Sequence, residues 1–107
     1  MGLVEVEELW FSWDDKKSLR NFRLRGFNFE AAIDAFFDEY AELDRDMEWQ
    51  EEERYQVIGR IPTIGIVVVI FSIWYFEDTD EKIHRIISAR RAEPPEQKRY
   101  LGRFSKT

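Results

Sequence analysis

A chain of 107 residues, 44% hydrophobic and 36% charged, suits one domain with one core and a strongly solvated surface. It has no cysteine, which excludes a disulfide framework, a thiolate metal site and a cysteine nucleophile. The net charge of −6 is uneven: residues 1–53 hold 6 basic and 16 acidic side chains, whereas residues 82–107 hold 8 and 2. That asymmetry points either to a basic functional surface on an acidic body or to two chain ends that attract each other. The opening MGLVEVEEL carries acids where a secretion signal carries Lys or Arg, so a cytoplasmic protein is expected.

Leu9, Phe11 and Trp13 alternate with Trp10 and Ser12, so a strand is predicted over Glu8 to Trp13. Asp14 or Asp15 can cap a helix over about Asp15 to Arg25, with Gly26 as its left-handed terminator. Leu19 and Phe22 are expected on its inner face. Lys16, Lys17, Arg20, Arg23 and Arg25 give it a basic outer face. Asn28 can cap a second helix, in which Ile33, Phe36, Phe37 and Tyr40 form one buried stripe. These aromatics are read as core rather than as a ligand pocket. The acidic segment Ala41 to Glu53 extends that helix or forms a loop, and it lacks the glycine turn of a calcium-binding loop.

Arg54 to Ile61 alternates again. Tyr55, Val57, Gly59 and Ile61 share one face; Arg54, Gln56, Ile58 and Arg60 share the other. Pro62 to Gly65 is turn chemistry. Ile66 to Tyr75 reads as the central strand, apolar on both faces. The whole apolar run, Ile64 to Phe76, falls short of the roughly 20 residues of a membrane-spanning helix, and its β-branched and aromatic content favours a strand. Glu77 to Asp80 makes the next turn and Glu81 to Ala89 the last strand. Pro94 and Pro95 open a basic helix that runs to about Arg103. The order predicts one α+β domain over residues 1–107. Its antiparallel sheet has about four strands, with two N-terminal helices and one C-terminal helix.

The single histidine, His84, falls on the opposite strand face from Arg85, so no His-based metal site is expected. There is no P-loop, dinucleotide glycine motif or GxSxG, and no cofactor is expected. What remains is a set of arginines on one sheet: Arg54, Arg60, Arg85, Arg90 and Arg91. A guanidinium binds phosphate as a bidentate fork and keeps its charge at any working pH. Buried without a partner it would be very costly. Arg85, inside the apolar stretch IHRIISARRAEPP, must therefore pair with an acid or line an opening that admits an anion.

FSWDDKKSLRNFRLRGFNFEAAIDAFFDE resembles the first half of BrnT-type toxins: F-x-W-D-x-x-K, then N, a basic-Gly pair, F-E-x-A and F-x-D. EERYQVIGR and RIISARRA, followed by Glu and Tyr100, resemble the second half. The likeness runs from about Leu9 to Tyr100. It implies a RelE-like fold and a ribonuclease toxin of a type II toxin–antitoxin pair, acting on RNA without metal. The implied partner is a BrnA-like antitoxin, through which DNA is met only indirectly; no membrane is involved. Carried over by motif, Lys17, Arg60, Arg85 and Arg90 would bind phosphate and stabilise the transition state. Tyr100 would orient a phosphate or relay a proton, and Glu53 would act as base or as a salt-bridge partner. Relatives often have His-Gly where this chain has Arg25-Gly26, and a basic residue where it has Trp74. Arginine, with a pKa above ~12, cannot replace histidine as an acid or base. The departures define an alternative: an inactive toxin-fold module that binds an antitoxin and acts in regulation.

Overall fold

The structure is a computed structural model that describes residues 1–45 and 54–103. Its elements are β1 (Gly2–Val6), β2 (Leu9–Trp13), α1 (Asp15–Arg25), α2 (Phe29–Ala32), a 3₁₀ turn (Ile33–Phe37), β3 (Glu42–Arg45), β4 (Arg54–Ile61), β5 (Gly65–Tyr75), β6 (Lys82–Arg91) and α3 (Pro94–Gly102). One sheet runs in the order β1-β2-β6-β5-β4-β3. The α+β class stands, but the sheet has six strands rather than about four. It is antiparallel except where β2 lies parallel to β6.

Both extra strands are at the edges, where sequence signals are weakest. β1 joins β2 through Glu7 and Glu8, whose φ angles are 48° and 72°. Such a hairpin normally announces itself with Asn-Gly or Asp-Gly; two glutamates give no such signal. β3 is ELDR, drawn from the acidic segment expected to be helix or loop. Charged edge strands resist unwanted pairing, so their composition resembles a loop.

Asp14 caps α1 by accepting from the N–H groups of Lys16 (2.8 Å) and Lys17 (3.1 Å), and Gly26 ends it at φ 86°. The expected inner face is corrected. Leu19 and Phe22 are 49% and 53% exposed, while Ser18 and Asn21 are buried. The helix docks on backbone rather than on apolar side chains. Ser18 Oγ accepts from the Phe29 N–H, and Asn21 donates to the Phe27 carbonyl. Both pairs share the same three-residue spacing, so periodicity alone cannot choose between them.

The second helix is one α turn followed by the 3₁₀ turn. On the first face of the sheet, Phe29, Ile33 and Ala35 pack with Phe11, Trp13, Val57, Val67, Val69, Phe71, Ile86 and Ala89. Tyr40 belongs instead to the second face, with Ile58, Val68, Ala92 and Tyr100. β5 is thus apolar on both sides, and the run Ile64 to Phe76 is accounted for by a sheet strand. No helix among the described residues is long and apolar enough to cross a membrane.

Gly59 sets how closely the 3₁₀ turn approaches β4. A Cβ there would lie 2.3 Å from the Ala35 carbonyl oxygen. Gly59→Ala should therefore destabilise the fold by about 1–3 kcal/mol through overpacking. Urea denaturation should show a lower midpoint with an unchanged slope; an unaltered midpoint would mean the turn shifts without cost.

Candidate functional site

The helix α3 covers only one end of the second face. Glu93 N–H donates to Glu96 Oε1 (2.8 Å) at its start, and the two prolines occupy positions that need no donor. Among the described residues, no helix covers the other end of the face.

Strand register determines which side chains line that face, because directly opposed residues point to the same side. One row across four strands reads Arg54, Ser72, Arg85, Ser12. The next reads Trp74, Ile83, Trp10. Towards α3 follow Gln56, Ile70 and Ser88, then Ile58, Val68 and Arg90, then Arg60 and Ile66. Arg85 and Arg90 are five residues apart, so strict alternation would put them on opposite faces. A register shift opposite Ile70 and Phe71 leaves Ile87 without a partner, and this bulge brings both arginines to the second face. Arg91 falls on the other side. It donates to the Arg25 carbonyl (2.5 Å) and lies over the Phe27 ring, while Arg25 donates to the Ala89 carbonyl (2.9 Å). Those two arginines clamp the end of α1 to β6.

Arg85 is half-buried. Its Nη1 donates to Ser12 Oγ at 3.4 Å, and its guanidinium carbon sits 4.6 Å from the centre of the Trp74 ring. Among the described residues no carboxylate lies within ion-pairing distance of it. It lines a shallow cleft of about 420 Å³ with Met1, Asp14, Asp15 and Lys16. Lys17, exposed in the first turn of α1, acts on the same Asp14 carboxyl as Arg85 does. The Lys17 N–H first, then the Lys16 N–H and the Lys17 and Arg85 charges, hold the Asp14 carboxyl below its usual pKa against partial desolvation.

Arg90 is held differently. It makes a bidentate ion pair with Glu96, at 2.6 and 2.8 Å. The Arg90 hydrogen bonds keep the Glu96 pKa down, opposed by burial and helped by the Glu93 N–H. Arg60 is exposed, and among the described residues its side chain has no ion pair. With Tyr100, Gln97, Ile64 and Ile66 it lines a cleft of about 430 Å³. Tyr100 is 1% exposed and donates to Asp38 Oδ2 at 2.5 Å. Asp38 also accepts from the N–H groups of Arg60 (2.7 Å) and Tyr40 (3.1 Å). Burial pushes the Asp38 pKa up, but the Tyr100 hydroxyl, the two N–H groups and the Arg60 charge outweigh it and hold it low. Burial, then the Asp38 hydrogen bond and charge, push the Tyr100 phenol far above its ordinary value. That environment favours the protonated phenol.

The five residues singled out by motif therefore do not meet at one point. Lys17 and Arg85 stand near the start of α1. The Arg60 and Arg85 rows are six β5 residues apart, about 20 Å at ~3.3 Å per residue. Arg90 lies between them. Glu53 is outside the described residues. His84 points into the first-face core among Phe11, Phe36 and Phe71, with Nδ1 2.9 Å from the Trp10 carbonyl oxygen. No described group of three or more His, Asp and Glu side chains is placed to hold a metal ion. Sequence reasoning gave no role to Asp38, Ser12, Ser72 or Glu96. Asp38 had a signal, as the acid of the F-x-D motif; the serines had none.

An α+β protein with a line of cations along a half-open sheet face is of a kind suited to a polyanion. Residues 13–96 match the family described as ribonuclease toxin, BrnT, of type II toxin-antitoxin system. The match spans most of the chain, and the protein belongs to that family. A type II system pairs its toxin with an antitoxin, so an antitoxin is the implied partner. No individually curated protein matches the chain.

The Asp38 cluster makes a signed prediction. Its folded-state pKa lies below the unfolded value of about 3.9, so its contribution is complete above that pH and is lost as pH falls through the folded pKa. Tyr100→Phe and Asp38→Asn should each lower stability at pH 7 by about 1–3 kcal/mol. For Asp38→Asn the deficit should shrink below pH 4 in urea melts. A deficit independent of pH would show that the carboxylate charge plays no part.

Proposed function

We propose that the protein is an endoribonuclease toxin with a RelE-like fold, cutting RNA without a metal ion and neutralised by a BrnA-like antitoxin. In that reaction the RNA 2′-OH attacks the adjacent phosphorus, the P–O5′ bond breaks, and extra negative charge develops on the phosphoryl oxygens. Fixed cations aimed at that charge lower the barrier. Arg85 is the side chain best suited to it, with Lys17 beside it; Arg60 would take a more distant phosphate of the same strand. Arg90 and Tyr100 act from behind, through Glu96 and Asp38, by holding α3 and the far end of the face.

The observation that carries this reading is the half-buried Arg85 guanidinium, anchored to Ser12 and Trp74 with no described carboxylate in ion-pairing distance. Purified protein should cut RNA in the presence of EDTA. Arg85→Ala should lower the rate by about 10²–10³-fold, the scale of losing one transition-state donor, with an unchanged circular dichroism spectrum. Full activity in that variant would refute the assignment.

A second reading has its own support. His84 faces the core and the Tyr100 phenol is held protonated, so neither is a ready proton carrier on the open face. A toxin fold that binds its antitoxin and regulates without cutting fits those facts. Folded wild-type protein that leaves RNA intact, and whose expression alone does not slow growth, would select it.

For the antitoxin, the exposed Leu19 and Phe22 are the surface we favour. They form an apolar pair framed by Lys16, Lys17, Arg20 and Arg23, which complements an acidic segment with an apolar face. A partner seated there would also crowd Lys17. Phe22→Asp should weaken antitoxin binding by about tenfold or more, measured by calorimetry, while RNA cleavage persists. Unchanged affinity would move the interface elsewhere.

A further inference from the structure

The row next to Arg85 carries no charge of its own. Trp74 and Trp10 flank Ile83 on the open face, one row, about 7 Å, from the Ser12–Arg85–Ser72–Arg54 row. Trp74 is 47% exposed, near the end of a strand whose middle is buried. Ile83 between the two indoles is only 8% exposed and gives them an apolar floor. Trp10 is braced edge-on against Phe76, with ring centres 5.1 Å apart.

We propose that Trp74, with Trp10 beside it, is a base-stacking platform that makes this face selective for single-stranded RNA. This deepens the ribonuclease reading and rests on its placement of RNA on the same face. A guanidinium stacked on an indole keeps its N–H donors in its own plane, free to turn to a phosphate. Arg85 and Trp74 therefore form one unit, offering an anion site beside an aromatic surface. The spacing of the two rows is comparable to the reach from a phosphate to its own base. Only an unpaired strand can use both, because duplex bases are already stacked on one another. Single-strand binders combine a basic track with exposed aromatics in this way. A basic residue at Trp74 would add charge but would not distinguish the two forms.

The test separates binding from cleavage by using a labelled 2′-O-methyl oligonucleotide, which lacks the attacking hydroxyl. Wild-type protein should bind it more tightly as a single strand than as a duplex with its complement. Trp74→Ala should weaken single-strand binding by about 5–100-fold, and Trp74→Phe by less. An oligonucleotide with abasic sites should bind wild type more weakly than the intact strand and bind Trp74→Ala no differently from it. That last comparison reads stacking rather than structure, and its wild-type half decides the matter alone if the alanine variant misfolds. Equal wild-type affinity for intact and abasic strands would overturn the platform, as would no wild-type binding. Loss of antitoxin binding in Trp74→Ala with RNA binding unchanged would overturn it too and give the surface to the antitoxin. Cleavage of the 2′-OH strand is scored separately. The platform stands if binding behaves as described and nothing is cut; the nuclease stands if RNA is cut and the indole proves irrelevant.

Discussion

Two arginines five residues apart on one strand cannot share a face unless the strand gains a residue between them. Ile87 is that residue, unpaired where β6 passes Ile70 and Phe71 of β5. Everything distinctive about the second face follows from this slip. On the α3 side of the bulge, Ser88 and Arg90 point to the second face and Ala89 and Arg91 to the first. On the β2 side, Ile83 and Arg85 point to the second face and His84 and Ile86 to the first. Without the extra residue, either Arg85 would enter the aromatic core as His84 and Ile86 left it, or Arg90 would turn to the first face as Ala89 left it. Bulges are common where a side chain has to be re-aimed, and here the re-aimed side chain is the one with no described carboxylate.

The arginines of IHRIISARRAEPP accordingly do three different things. Arg91 is spent on the Arg25 carbonyl and the Phe27 ring, fixing α1. Arg90 is held by Glu96 and so braces α3 against β6. Arg85 faces the open surface. The same division runs through the rest of the basic C-terminal quarter. Arg99 pairs with Glu42 and Asp44 of β3, and Arg103 approaches Glu42 at 3.8 Å. Part of the charge asymmetry of the sequence is thus an attraction between the two ends of the chain. Acids of the N-terminal half neutralise the basic side chains that hold α3 down, while Arg85 and Arg60 stay outside that pairing. Exposed ion pairs of this kind contribute little each, about 0–1 kcal/mol. Positioning α3 depends more on Tyr100, buried against Ile58 and Val68 and tied to Asp38.

Much of the fold was legible because its strongest elements obey local rules. β4 matched its predicted span, and β5 and β6 lay within two residues of theirs. Asp14, Gly26, Asn28 and Pro94 marked helix ends by the backbone chemistry they satisfy. What escaped was of two kinds. Edge strand β3 is charged in composition, and β1, though apolar, is only five residues long and joined to β2 by two glutamates instead of a glycine turn, so neither stood out from loop. The buried side of α1 depended on what lay opposite it, and backbone groups at Phe27 and Phe29 reward Ser18 and Asn21 where an apolar partner would have rewarded Leu19 and Phe22. The site was legible as a list of cations. Their distribution was not, because it depends on a single unpaired residue and on a carboxylate, Asp38, that acts through hydrogen bonds rather than as a charge.

A protein with net charge −6 that receives a polyanion has to solve a problem of electrostatics at short range. Its overall field repels RNA, so long-range steering cannot help it, and salt shortens both repulsion and attraction to about a Debye length, roughly 8 Å under physiological conditions. Within that distance the local arrangement decides. A line of cations spread along one face, from Lys17 and Arg85 to Arg60, matches the repeating charge of a strand better than a single dense patch would. In the proposed arrangement the indoles next to Arg85 would add a contact that salt does not screen. On the proposed placement of RNA, acidic character elsewhere would favour seating on this face over adsorption anywhere on the surface, so the same negative charge that weakens encounter would sharpen where a strand comes to rest.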